Sequence, residues 1–347
     1  MKILITGNLG YLGPVVVRHL RTTIPGAHIT GYDTGYFARC VTTDARLADT
    51  LCDEQVFGDL RDIDRDFVSG FDKIVLLAAI SNDPMGERYA RVTDEINHRG
   101  CLNVLDKIDD LSSKSIVFAS SCSMYGAGGD APRKETDALN PLTAYARSKV
   151  DVEQALERLA GRGPVITSLR FSTACGMSDR LRLDLVLNDF VASALVKGEI
   201  EVLSDGTPWR PLIAVKDMAR ATEWALQRPA DNGGRYMAVN VGSDAWTYQI
   251  RDLAHAVGDI LPGVKVRINS AGQPDKRSYR VDFARFRAHA PDHQPLATLA
   301  DTVRELADGI SKIPALPSDF RSSDYVRLSV LTGLIDKDLL DSNLYWQ

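Results

Sequence analysis

Long apolar runs are missing from this 347-residue chain: nowhere do eighteen apolar residues follow one another, so no membrane-spanning helix is expected. Cysteine is scarce and odd in number. Cys40, Cys52, Cys101, Cys122 and Cys175 contain no C-x-x-C pair, which argues against a disulfide framework and against a structural zinc site. A reducing, cytoplasmic setting is the expectation that follows. The six histidines show no metal-ligand spacing, so no metal is expected. Basic charge is not in excess, and a net charge of −5 leaves no electrostatic footprint for nucleic acid or an anionic membrane surface. Arg180, Arg182 and Arg210 are the residues from which a local basic patch would be built. The opening residues, MKILITGNLG, read as a strand that turns at once, without the apolar region and cleavage site of a secretory signal. Internal repeats and low-complexity segments are absent, as are a G-K-[ST] triplet after the first glycines and a G-x-S-x-G elbow; P-loop and serine-hydrolase readings are therefore set aside.

What is present is an ordinary globular balance, 44% hydrophobic and 25% charged, in a chain long enough to bury a full core. Strand and helix patterns alternate through the first half. KILIT, AHITGYD, EQVFGDL, FDKIVLLAA, SIVFASS and PVITSLRF read as strands, and YLGPVVVRHLRT and AYARSKVDVEQALERLA as helices. This predicts an α/β fold, a Rossmann-like doubly wound parallel sheet over residues 1–170, with a smaller α/β substrate lobe mainly over 171–347. Residues of about 212–245 are expected to return to the first domain.

Four local patterns carry chemistry. Gly7, Gly10 and Gly13 sit between the first strand and the first helix, where a glycine turn lets backbone approach a pyrophosphate and helix amides hold its charge. Asp33 ends the next strand, at the distance where an acid meets the adenine ribose; a carboxylate there repels a 2′-phosphate, favouring NAD over NADP. Tyr145 and Lys149 lie one helical turn apart, so that an ammonium can lower the pKa of a phenol that takes a proton as hydride leaves the same carbon. Finally, SIVFASSCSMYG at 115–126 is a strand that stops at hydroxyls and a thiol, which either cap a turn or touch a ligand.

Taken in order, G-x-x-G-x-x-G, Asp33, GDLRD, LLAA, ASSCSMYG, NPLTAYARSK, LRFSTACG and RPLIAVKDMA resemble the extended short-chain dehydrogenase/reductase family, and within it the nucleotide-sugar epimerases and dehydratases, over roughly residues 1–285. The resemblance implies Ser121 as the hydroxyl on the reacting sugar oxygen, Tyr145 as base, and Lys149 as the residue that tunes it and holds the nicotinamide ribose. For NAD it implies Gly7, Gly10, Tyr11, Leu12, Gly13, Asp33, Asp59, Leu60, Ala78 and Ala79, together with Tyr145 and Lys149. For the substrate, a nucleotide sugar with UDP favoured, it implies Ser81, Ser123, Thr173, Asn188, Arg210 and Arg277, with Asn97 as a support for the active-site backbone. It also implies a homodimer through the helices that bear Asn97 and Tyr145.

The residues after Ser121 separate reactions. Dehydratases of this family resemble one another in carrying an Asp-Glu pair there, and Cys122 and Ser123 cannot supply that acid and base. A 4-epimerase working through a transient 4-keto sugar needs only the base, the cofactor and room to turn. A dehydratase with differently placed acids, a C3/C5 epimerase using Cys122, a ketoreductase and a non-catalytic dinucleotide sensor are the alternatives. Cys122 lies three residues before Tyr125, where the C3/C5 enzymes place their cysteine two before, so a buried, inert thiol is expected. Ser81, Thr173, Cys175 and Ala214 depart from common family residues, and the C-terminal tail has no assigned role.

Overall fold

The computed structural model describes residues 1–347 except 43–45, 82, 128, 130, 274, 276 and 315. The apolar runs of the first half form β1 Lys2–Thr6, β2 His28–Asp33, β3 Glu54–Phe57, β4 Lys73–Leu76, β5 Ser115–Ser121 and β6 Val165–Phe171. Further along come β7 Thr173–Cys175, β8 Glu199–Val202, β9 Trp209–Ala214, β10 Tyr236–Val241, β11 Thr247–Gln249 and β12 Lys265–Ile268. Seven of these pair in the order β10-β6-β5-β4-β1-β2-β3, every neighbour parallel. Ile3, Leu4 and Ile5 are fully buried, as a strand covered on both faces requires.

The strand order reverses between β1 and β4, where an open parallel sheet leaves a crevice at its carboxyl edge. Register brings the site together there. Thr6 is level with Tyr32 on one side and Leu76 on the other, so Gly7, Asp33 and Leu77 leave the sheet at one edge. Ser121 is level with Phe171, which delivers the end of β5 and the residues after β6 to the same edge. The helix Gly13–Thr23 opens with Pro14 in its first turn, where the missing N–H has no intrahelical partner to lose.

The second half adds a three-stranded sheet, β11-β9-β7, and a two-stranded parallel pair, β12-β8. β10 goes back to the edge of the large sheet, and the helix Val215–Gln227 packs on β4, β5 and β6. One apolar cluster runs from Ile5 and Val16 through Leu187 and Phe190 to Val303 and Leu306, so the two halves share a core. The chain's end departs from the expectation that residues after 171 serve mainly the substrate lobe. The helix Arg327–Ile335 buries Val330, Leu331 and Leu334 against Tyr36, Ile80, Met85 and Ile96 of the first half. Apolar spacing specifies that a helix face is buried, not against which surface. Among the described residues no helix is long and apolar enough to cross a membrane.

Candidate active site

A cavity of about 760 Å³, ample for a small-molecule ligand, runs along the carboxyl edge of the large sheet. Every residue expected on the cofactor or the substrate lines it except Asn188.

At its amino-terminal end the walls are largely backbone. Gly7 adopts φ +77°, and a Cβ there would stand 2.5 Å from the Ala78 nitrogen, so only glycine allows the turn to lie against the end of β4. A Cβ on Gly13 would meet the backbone of Asn8 at 2.3 to 2.5 Å, which is why the helix can start so close to the turn. Asp33 accepts from the Leu9 N–H at 3.0 Å and from the Gly35 N–H at 2.7 Å. Burial raises its pKa and the Gly35 and Leu9 amides oppose the rise, and its oxygens keep lone pairs for hydroxyl groups. Tyr11 lines the cavity while its hydroxyl donates to the Gly176 carbonyl at 2.6 Å, tying the glycine turn to the second half. Asp59 and Leu60 lie beside it, Asp59 gripped by Arg61 through two contacts of 2.9 and 2.6 Å. A glycine cradle, an acid on the cavity wall and apolar walls at Leu60, Ala78 and Ala79 fit a dinucleotide.

At the centre, the helix Ala144–Leu159 is capped by Thr143, whose hydroxyl accepts from the Ala146 N–H at 3.1 Å. That cap sets Tyr145 and Lys149 in the first two turns, facing the cavity. The Lys149 ammonium donates to the Ala119 carbonyl at 2.7 Å and lies 5.4 Å from the Tyr145 ring centre. Burial lowers its pKa to about 8. Asn97, in the π-helical stretch Glu95–Gly100, accepts from the Ile80 N–H at 2.7 Å and donates to the Ile80 carbonyl at 2.9 Å and the Ser148 hydroxyl at 3.3 Å. It fastens the loop after β4 to the Tyr145 helix, and such π turns recur at functional sites.

The choice posed by the end of β5, capping or ligand contact, is not exclusive. The Ser121 hydroxyl accepts from the Ser123 N–H at 3.1 Å, capping the turn Cys122–Tyr125, and also faces the cavity. Ser120, beside it, has a buried hydroxyl without a partner among the described residues. Cys122 is fully buried beside Tyr125, Tyr279 and Phe283, its thiol donating to the Arg170 carbonyl at 3.1 Å; burial pushes its pKa up.

The far end is built from side chains of distant segments. Asp275 holds both expected arginines, Arg210 at 2.9 Å and Arg277 at 2.6 Å, leaving a net positive group. Thr173 and Ser123 line the wall between them and Tyr145. Ser81 accepts from Arg182 at 2.9 Å, and Arg182 is paired through both nitrogens with Asp184 at 2.9 and 3.0 Å. Asn188 requires correction: it is fully buried off the cavity, accepting from the Gly176 N–H and donating to the Tyr11 hydroxyl and the Arg182 carbonyl. An asparagine suits an internal bracket as well as a ligand, and here it positions Tyr11 and Arg182. Arg182, expected only as part of a basic patch, and Asp184, Asp275 and Arg327, which carry no recognisable motif, are all on the cavity wall. Asp94, His98 and Asp151 come close enough together to hold an ion, but they lie away from this cavity, and Asp94 already pairs with Arg99 at 3.2 Å.

Residues 3–242 match the model of the NAD dependent epimerase/dehydratase family. A UDP-glucose 4-epimerase of Corynebacterium glutamicum is 26% identical over 327 residues, covering 87% of this chain and 94% of its own. Among solved structures, a UDP-glucose 4-epimerase from Stenotrophomonas maltophila, with bound NAD and formylated UDP-arabinopyranose, superposes with a TM-score of 0.75 at 22% identity over 91% of this chain and 100% of that one. An NAD-dependent NDP-hexosamine 5,6-dehydratase of tunicamycin biosynthesis superposes with a TM-score of 0.72 at 20% identity over 89% and 97%. At these identities the superpositions establish the fold, and that fold is common to both reactions.

Proposed function

The chain belongs to the NAD dependent epimerase/dehydratase family, and from that premise we propose that it is a nucleotide-sugar 4-epimerase acting through a transient 4-keto sugar. The observation that carries this reading is the state of the carboxylates that line the cavity beyond Asp33 and Asp59. Asp184 is held by Arg182 at 2.9 Å, Asp189 by Arg321 at 2.8 Å and Asp275 by Arg210 and Arg277, while Glu201 is exposed on β8. For Asp275 the two arginines outweigh burial and hold its pKa down, so it is a poor acid. Elimination of water needs an additional acid and base, whereas inversion at C4 needs one group that works in both directions. Tyr145 is that group.

In this reading Ser121 holds the 4-oxygen of the sugar, and Tyr145 removes its proton and later returns it. Lys149 supports the phenolate, and Asn97 keeps the Tyr145 helix and the loop after β4 in register. When bound, NAD supplies what these side chains lack, a carrier that takes up a hydride and gives it back. Gly7, Gly10, Tyr11, Leu12, Gly13, Asp33, Asp59, Leu60, Ala78 and Ala79 would hold it, Asp33 excluding a 2′-phosphate by charge. Arg210 and Arg277 meet the diphosphate of the nucleotide, and Ser81, Ser123 and Thr173 the sugar. The relative named for UDP-glucose supports a UDP-sugar. A homodimer through the helices bearing Asn97 and Tyr145 and a cytoplasmic setting belong to the same reading.

The test is incubation of the purified protein with UDP-, dTDP-, GDP- and CDP-sugars, without added cofactor, read by mass spectrometry and NMR. A product of unchanged mass inverted at C4 is expected. A product lighter by one water would replace epimerisation by dehydration.

A further inference from the structure

We propose that Arg327 is a phosphate ligand of the bound dinucleotide and that the C-terminal segment 326–347 is a clasp that keeps the dinucleotide in place. This rests on the cofactor reading above. It concerns residues beyond the span of the family model.

Three arginines are buried close together, Arg182 and Arg327 of them lining the cavity, and two have their own carboxylate. Arg180 is paired with Asp49 at 2.6 and 2.8 Å, and Arg182 with Asp184. Arg327 has no carboxylate among the described residues. It is 2% exposed, lies 4.5 Å over the Phe37 ring and donates one hydrogen bond, at 2.7 Å, to the Arg180 carbonyl. Its Nη1 is buried without a partner among the described residues. A buried guanidinium short of acceptors and beside two like charges is unfavourable unless an anion completes it.

The place of that anion follows from its neighbours. Arg327 lines the same cavity as Gly10 and the start of the helix Gly13–Thr23, whose free amides favour phosphate. Its guanidinium lies over Phe37, in the loop that follows Asp33 at the ribose end, and donates to the carbonyl of Arg180, two residues before Arg182 at the reaction end. Between a ribose and a nicotinamide lies the diphosphate.

The rest of the segment grips the adenosine side. The Trp346 indole donates to the Thr34 carbonyl at 2.7 Å, its ring lies 5.8 Å from that of Tyr36, and the Tyr36 hydroxyl donates to the Leu344 carbonyl. Arg61, which holds Asp59, also donates to the Asn343 carbonyl at 2.8 Å and stacks 3.6 Å from the Tyr345 ring centre. Thr34, Tyr36 and Asp59 all line the cavity, so the tail fixes the two loops that would enclose adenosine.

The experiment is calorimetric titration of NAD-stripped protein with NAD and with adenosine, together with the NAD dissociation rate followed by fluorescence. Arg327→Gln is expected to weaken NAD about 10- to 100-fold and to leave adenosine, which has no phosphate, unchanged. Arg327→Lys should recover part of the loss. Trp346→Ala, with Arg327 intact, is expected to speed NAD release about tenfold. Equal NAD affinity in wild type and a folded Arg327→Gln protein would overturn the phosphate contact, and an unchanged release rate in Trp346→Ala would overturn the clasp. Wild-type protein that binds no NAD would instead overturn the cofactor reading on which both stand.

Discussion

At the cofactor end of the cavity, the shape is made by backbone: a positive-φ glycine pressed on Ala78, a helix starting on Asn8, and an acid held by two amides. At the substrate end, the shape is made by long side chains from separate segments, Arg182 with Asp184 and Arg210 and Arg277 with Asp275. Backbone surfaces tolerate almost no change and accept one kind of ligand. Paired side chains can be exchanged without disturbing the fold, which is how one scaffold comes to serve different substrates.

Between the two ends sits the residue whose loss should be felt most. Tyr145→Phe is expected to lower kcat by about 10³-fold, within the usual range for a general acid–base, while the melting temperature stays put. A residual rate within tenfold of wild type would move the base elsewhere. The cofactor end is sharpened by Gly7→Ala, which should cost about 2–4 kcal/mol of stability by denaturant titration, since strain at φ +77° adds to a 2.5 Å approach to Ala78.

Lys149→Met is expected to reduce kcat about 100-fold through loss of phenolate support. Its effect on stability runs the other way. With the lysine pKa lowered by burial to about 8, the unfolded chain binds more protons between about 8 and the ordinary lysine value, so this group makes stability rise with pH over that window. Below about 8 the buried charge is a full penalty, and Lys149→Met should melt no lower than wild type at neutral pH and lose that part of the pH dependence. A melting temperature several degrees lower would mean that the lysine is a structural strut.

At the substrate end, Arg277→Ala should raise KM about tenfold with kcat nearly unchanged, as for a contact made equally in ground and transition states. A fall in kcat alone would place Arg277 at the reacting carbon. The smallest effect is expected from Cys122→Ser, within about twofold on turnover, because the thiol is buried off the cavity and a hydroxyl keeps the contact with the Arg170 carbonyl. Loss of turnover there would revive the C3/C5 epimerase alternative.

The same contrast explains what could be read in advance. The first six parallel strands and the glycine turn are local patterns, apolar runs and a strand–glycine–helix order, and they were legible. So were Tyr145 and Lys149, because helical spacing alone puts them on one face. The clasp was not: Trp346 meets Thr34 across 312 residues, and an apolar C-terminal helix fits many surfaces equally well. Asn188 was misplaced because its carboxamide serves a bracket as well as a ligand. That Ser121 caps the turn as well as facing the cavity was not legible, because the turn is decided by backbone dihedrals at the strand end, which residue type does not encode.

The central claim, inversion at C4 by a single proton-transferring residue with internal return of hydride, is tested most directly by running the reaction in D₂O on whichever nucleotide sugar turns over. The account predicts a 4-epimer with no deuterium on any sugar carbon. Deuterium at C3 or C5, or a product lighter by water, would show that a carbon-bound proton is removed, and Tyr145 would no longer suffice.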